Sequence, residues 1–427
     1  MVIRPPWYYH LAIMMTRPVY WGILAHKKDK LPYYEREMAE RFGHHYLPLA
    51  KSDKGVIWCH AVSLGELNTA YPLLKLLLDD DYHLWITSTT QTGFARAKTL
   101  FTDRLGKTVQ HSFVPVDDVA VLQRFLSHVR PVMAVFVETE LWANMLYLLA
   151  SKGITSVMAN ARLTDNSFDG YRKFARLSQS MMANLSLIIA QDAQSHANFI
   201  ALGADNDKVK LAHSLKWSSA TNQPFLHKTT LGHRPVWVMA STHDGEESLA
   251  LAVHQRLLTH LPNALLILVP RHPERFDDVA KLCQDFIYHR RSQTDIQDST
   301  QVYLADSMGE LMAWYGLCDV AVVGGSFVDK GGHNPIEPAR VAKPIIMGRY
   351  VKNCAEIVAD LVGVQALVQV QSDDESELFD VLKFWLDDPN SAKNAGEQGK
   401  QLADERRQAD KQQFAMMHAL LTKQASQ

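Results

Sequence analysis

From residue 55 onward, short apolar runs alternate with stretches whose apolar positions recur at helical spacing. Residues 55–60 (GVIWCH) read as a strand and 66–78 as a helix. Residues 83–88, 132–137, 154–159 and 187–190 are further apolar runs of strand length, separated by helical patterns at 93–100, 141–152 and 193–202. A polar, aperiodic stretch over 218–234 reads as a linker. The alternation then restarts, with strands predicted at 236–240, 265–269, 320–323 and 345–347 and helices at 246–260, 274–284, 308–315 and 335–341. Repeated strand–helix alternation predicts an α/β protein whose parallel sheets are covered on both faces. The pattern divides the chain into a segment 1–30, a Rossmann-like domain 31–217, the linker 218–234, a second Rossmann-like domain 235–395, and a polar helical segment 396–427 able to cross back onto the first domain. Two such domains are expected to face each other across a cleft. Ligands of parallel sheets bind beyond the carboxyl ends of the strands, so the residues just after each strand carry the functional question.

Residues 7–25 pose a membrane question. They are apolar and aromatic, but His10, Arg17 and Pro18 interrupt them, and a charge near a bilayer centre is costly. Trp7, Tyr8, Tyr9, Tyr20 and Trp21 suit an interface, and Arg4, Arg17, Lys27, Lys28 and Lys30 would attract anionic lipid. Two readings stand: a helix packed on the protein's own surface, or an interfacial membrane contact.

Composition acts mainly by exclusion. The chain has 427 residues, 47% hydrophobic and 21% charged, which excludes a mostly disordered chain. A net charge of −2 gives no chain-wide case for nucleic-acid binding. The four cysteines are far apart with no CxxC pair, so neither a disulfide framework nor a zinc ribbon is expected. There is no GxxxxGK[ST], no HExxH and no GxGxxG after a first strand. The 19 histidines show no zinc-ligand spacing, and His60 reads as a packing histidine.

Five clusters follow strands. In the first, 61–66 (AVSLGE), Ser63 and Gly65 allow a tight turn into a helix. Glu66 falls in that helix's first turn, where it either caps the helix or serves as a general base. The helix dipole would lower its pKa. In the second, Glu138 and Glu140 lie two residues apart and point the same way if the chain stays extended. The third, 241–247 (STHDGEE), offers Ser241, Thr242 and the amides of a helix start for a phosphate or carboxylate. The fourth, 269–275 (VPRHPER), offers Arg271 as a fork for the same groups, with Arg275 read as a solvated helix residue. The fifth is the most specific: VGGSF at 323–327 is followed by GGHNPIEP at 331–338. There Gly324, Gly325 and Gly332 would let the backbone approach a ligand, and the amides after Pro335 would face it. Glu337 would accept bonds from two ribose hydroxyls.

These motifs, in this order, resemble the 3-deoxy-D-manno-octulosonic acid (Kdo) transferase family of lipopolysaccharide biosynthesis. The resemblance spans residues 58 to 348 through HAVSLGE (60–66), ETELW (138–142), NARLTDNS (160–167), AQDAQS (190–195), SLKW (214–217), ASTHDGEE (240–247), LVPRHPERF (268–276) and GGSFVDKGGHNPIEPA (324–339). It implies the two-Rossmann-domain glycosyltransferase architecture called GT-B, in agreement with the strand–helix pattern. It further implies CMP-Kdo as donor, the tetraacylated lipid A precursor as acceptor, and inversion at the transferred sugar. Glu66 matches the family's base. Arg271, Asn334 and Glu337 match the nucleotide side, and Lys216 would neutralise a phosphate or the sugar carboxylate. No cofactor or metal is required, because a helix N-terminus and one or two cations can stabilise a departing nucleoside monophosphate. The implied place of work is the cytoplasmic side of the inner membrane. Two departures are visible: Arg17 and Pro18 interrupt the usual anchoring segment, and Arg349 stands where the family commonly has proline. The alternatives are a sugar-nucleotide epimerase on the same architecture and a binding protein without catalysis.

Overall fold

The computed structural model describes residues 2–219, 231–371 and 375–425. It consists of two compact units, one formed by Met1–Ala220 with Arg407–Gln427, the other by Thr221–Arg406. Most of the expected linker, residues 220–230, lies outside the described residues.

The first unit holds a parallel sheet of β1 (Val56–His60), β2 (His83–Ser88), β3 (Val109–Phe113), β4 (Pro131–Val137), β5 (Thr155–Ala161), β6 (Leu187–Ala190) and β7 (Val209–Leu211), in spatial order 3-2-1-4-5-6-7. Its strands are apolar on both faces, as helices on both faces demand. On β1 the alternation is visible within three residues. Trp58 packs with Phe125 and Phe136 on one face, while Ile57 and Cys59 pack with Leu73, Leu74 and Leu77 on the other. β3 and β7 are absent from the sequence reading. β3 (VQHSF) is fully buried although three of its five residues are polar. Gln110 Nε2 donates to Pro48 O at 2.8 Å, and Ser112 Oγ accepts from Trp85 Nε1 at 2.9 Å. Satisfied hydrogen bonds let polar residues occupy a core position that an apolar pattern cannot reveal.

The second unit repeats the plan with β8 (Val236–Thr242), β9 (Leu265–Pro270), β10 (Tyr288–Arg290), β11 (Val302–Leu304), β12 (Val320–Val323), β13 (Ile345–Met347) and β14 (Leu367–Gln369), in order 10-11-9-8-12-13-14. β10, β11 and β14 have three residues each, too short to show a period. The helix Pro389–Arg406 stays within this unit, packing on the helix Ile336–Arg340. The helix Ala409–Ala425 belongs to the first unit, where Met417 and Leu421 join the layer of Leu73 and Leu74.

The N-terminal residues form one helix, Trp7–His26, that continues through Pro18. Among the described residues no helix is long and apolar enough to cross a membrane. The helix is fixed to the first unit by polar contacts. Tyr9 Oη donates to Asp117 Oδ2 at 2.7 Å, and Arg17 lies 3.5 Å from Asp118. Outward it shows Trp7 (75% exposed), Met14, Met15, Val19 and Trp21.

Candidate functional site

In the first unit three carboxylates gather at the carboxyl ends of β1 and β4. The β1 chain turns at Ser63, whose side chain caps the helix Leu64–Asp79 by accepting from Glu66 N. Glu66 reaches back, and its Oε2 accepts from Val62 N at 2.7 Å. This reciprocal capping folds the side chain over the end of the strand. Burial raises its pKa to about 7, helped by the charges of Glu138 and Glu140 and opposed by the Val62 amide and the Ser63 hydroxyl. The helix dipole alone would lower it. Desolvation of a carboxylate outweighs a helix terminus when the group is removed from water. A base with this pKa is poised near neutral pH.

Glu138 and Glu140 are not in extended chain. Glu138 has φ +62°, so the strand breaks there, and the next helix begins only at Ala143. The extended-chain alignment of the two side chains therefore does not hold. Glu140 Oε2 accepts from Trp142 Nε1 at 2.7 Å and lies 3.3 Å from His60 Nε2. Lys216 sits in a 3₁₀ turn between the buried Leu215 and Trp217, near the end of the first described stretch.

In the second unit the loops after β8, β9 and β12 converge. Their centre is Glu246, a buried carboxylate that sequence reading treats as a cap. Its oxygens accept from His243 N (2.9 Å), Gly325 N (2.8 Å), Ser326 N (3.2 Å) and Phe327 N (3.0 Å). The glycines thus have a duty other than offering amides to a ligand. Gly324 N bonds to Ala240 O, Gly332 N to Gly325 O, and His333 N to Gly324 O. A Cβ on Gly324 would come within 2.7 Å of Ser241 O, so only glycine lets the loop close on β8. Ser241 itself is held at φ +59°. Thr242 Oγ1 donates to Glu247 Oε1 at 2.7 Å, so that hydroxyl is engaged within the protein. Arg275 is not solvated: it bonds Glu247 through Nη1 at 2.5 Å and Asp244 through Nη2 at 3.0 Å.

Three further residues expected at the nucleotide lie in these loops. Arg271 is exposed, and among the described residues its guanidinium has no hydrogen bond or ion pair. Asn334 Oδ1 accepts from Ile336 N at 3.1 Å in the turn that opens the short helix. Burial raises the Glu337 pKa to about 7 against the pull of Arg340 and Arg271. Histidines missed by the sequence reading complete the cluster. His243 and His333 stack with Nε2 atoms 2.9 Å apart, and the His272 ring is 5.3 Å from that of His243. Burial and the neighbouring Arg271 push the His333 pKa down to about 4. Their signal was the repeated pairing of histidine with strand-end loops, at THD, RHP and GHN. Among the described residues no group of three His, Cys, Asp or Glu is set to hold a metal ion.

A family model described as 3-deoxy-D-manno-octulosonic-acid transferase (kdotransferase) matches residues 36–219. A 3-deoxy-D-manno-octulosonic acid transferase of Haemophilus influenzae is 38% identical over 94% of this chain and 95% of its own length. The chain belongs to the Kdo transferase family. Another Kdo transferase, from Bordetella pertussis, is 30% identical over 84% of this transferase and 87% of its own length. A second family model, glycosyl transferases group 1, matches residues 281–402. Among solved structures, the UDP-GlcNAc 2-epimerase of Neisseria meningitidis covers 86% of the transferase and all of its own chain, with TM-score 0.58 and 11% identity. At that identity the likeness concerns fold alone, and the fold is GT-B. The epimerase alternative therefore yields to a glycosyltransferase.

Proposed function

We propose that this Kdo transferase moves Kdo from CMP-Kdo onto a phosphorylated lipid A precursor (lipid IVA), with inversion. The observation that carries the reading is Glu66: a half-buried carboxylate at the end of β1, with a pKa near 7. In the proposed step an acceptor hydroxyl oxygen attacks the anomeric carbon of Kdo. The bond from that carbon to the CMP phosphate oxygen breaks, CMP leaves with the electron pair, and the hydroxyl proton passes to Glu66. The second unit holds the donor: Arg271 faces its phosphate or carboxylate, Asn334 its phosphate, and Glu337 its ribose. Incubation of the full chain with CMP-Kdo and the lipid A precursor, read by mass spectrometry, tests the reaction. The precursor gains Kdo mass and CMP is released; CMP release without a heavier lipid refutes the acceptor.

Glu337→Ala weakens CMP binding by ~1–3 kcal/mol, the range for leaving polar partners unpaired at a buried contact. Unchanged affinity by calorimetry removes Glu337 from the ribose.

The reading also places the protein at the cytoplasmic face of the inner membrane. The helix Trp7–His26, with its exposed Trp7, Met14, Met15, Val19 and Trp21, supplies an interfacial surface, and Lys27, Lys28 and Lys30 follow it. Deleting the helix would strip Tyr9 from the buried Asp117, so substitution is the cleaner test. Met14→Glu, Met15→Glu and Val19→Glu together release the protein from anionic vesicles without unfolding it. Equal co-sedimentation of this variant and the wild type, at low and high salt, sinks the idea.

A further inference from the structure

A narrow cavity of about 300 Å³ lies against the helix Trp7–His26. Ile13 and Tyr20 of that helix line it, with Thr89 from the chain after β2, Val114 and Val116 from the chain after β3, and Trp142 from the chain after β4. Three charged residues also border it. The Asp117 carboxylate is taken up by Tyr9 Oη and the amides of Asn144 and Met145. The Arg41 guanidinium is taken up by Glu37 and the Thr89 carbonyl. Arg17 is exposed and lies 3.5 Å from Asp118. With the inner charges spent on the protein, the slot favours an apolar guest. Arg17 also borders a larger hollow of about 980 Å³, shared with Arg36, Glu35, His44 and His45. There Arg36 pairs with Glu40 and Glu35 with Lys28, which leaves Arg17 beside two exposed histidines. An apolar slot and a basic hollow that share one arginine fit a ligand apolar at one end and anionic at the other. The slot also adjoins the carboxylates of the first unit. Trp142 Nε1 holds Glu140, and Thr89 N donates to the carbonyl of Val62, whose own amide holds Glu66.

We propose that this slot receives one acyl chain of the lipid acceptor, with the anionic head of the same molecule toward Arg17. This rests on the reading of the acceptor as a phosphorylated lipid. The volume is at the low end for ligand sites, which suits one chain rather than the whole lipid. A chain held there fixes the acceptor sugar beside the loops of Glu66 and Glu140. The enzyme then selects its acceptor by the lipid part as well as by the sugar.

The test uses the full chain, CMP-Kdo and phosphorylated lipid A precursors bearing a single acyl chain of increasing length, at each acylation position in turn. All are kept monomeric in water without detergent, so that partition into micelles plays no part. The readout is the ratio of kcat/KM for each acylated acceptor to that for the unacylated one in the same enzyme, which cancels a general loss of activity. In the wild type, at one position, the ratio rises about fourfold per methylene, the gain from taking one methylene out of water, and levels once the slot is full. Ile13→Trp and Val116→Trp fill the slot from the helix and from the chain after β3, and each flattens the rise to less than about half of that. A merely structural role for these residues lowers all rates together and leaves the rise intact. Either variant decides if the other fails to fold, and the wild-type series decides without them. The proposal falls if the wild-type ratio does not rise at any position, or if the folded variants keep the wild-type rise. Calorimetry with the same series reads the ratio as affinity, without turnover. If no acceptor gains Kdo, the reading of the acceptor fails. An affinity that climbs with chain length in the wild type and not in the filled variants keeps the slot as an acyl site even then, and a flat one fells it.

Discussion

Glu66→Gln lowers kcat by about 10²–10⁴-fold, the usual contribution of a positioned base, with CMP binding unchanged. The amide keeps the size of the side chain and can still accept from Val62 N, so the turn after β1 survives. In the wild type, activity rises with pH through about 7 and levels above it, because only the carboxylate form of Glu66 accepts a proton and burial holds its pKa there. Steady-state rates from pH 5 to 9 check both statements. A Glu66→Gln enzyme within threefold of wild type removes the residue from that role.

Glu246→Ala destabilises the second unit by roughly 3–5 kcal/mol, since four amides, the buried ones of Gly325 and Ser326 and the half-buried ones of His243 and Phe327, lose their acceptor at once. CMP affinity falls with it, because the loops bearing His243 and His333 are held in register by that one carboxylate. Glu246→Gln lies between the two, as its single carbonyl oxygen serves part of the set and its NH₂ faces donors. Urea unfolding followed by far-ultraviolet circular dichroism, with CMP calorimetry alongside, measures both effects. A loss under 1 kcal/mol in Glu246→Ala would falsify the central role of this side chain.

The strands β1, β2, β4, β5, β6, β8, β9, β12 and β13 were legible because burial on both faces leaves a mostly apolar run. β3 was not, since its Gln110 and Ser112 are polar residues accommodated by distant partners, Pro48 and Trp85, and its His111 ring is stacked on Phe94. The motifs located the right loops, but single residues within them were harder to place. Glu246 and Glu247 looked like one capping pair. In three dimensions Glu246 organises the glycine loop and Glu247 holds Arg275, a distinction that depends on loops about 80 and 28 residues away. The sign of the Glu66 shift was hidden for a related reason: a helix terminus is local and readable, whereas burial is contributed by the whole fold.

The helix Ala409–Ala425 has a consequence for synthesis. Gln413 lies at 0% exposure, accepting from Asn160 N at 2.9 Å and donating to His213 O at 3.0 Å. Those partners are made about 250 and 200 residues earlier, and the entire second unit is translated in between. The first unit must therefore wait, on the ribosome, with the apolar seam beside Leu73 and Leu74 open and the polar groups of Asn160 and His213 unmet. At ~5–20 residues per second this interval lasts on the order of ten seconds or more. During it the nascent chain offers a sticky surface that only its own late-made helix is shaped to close.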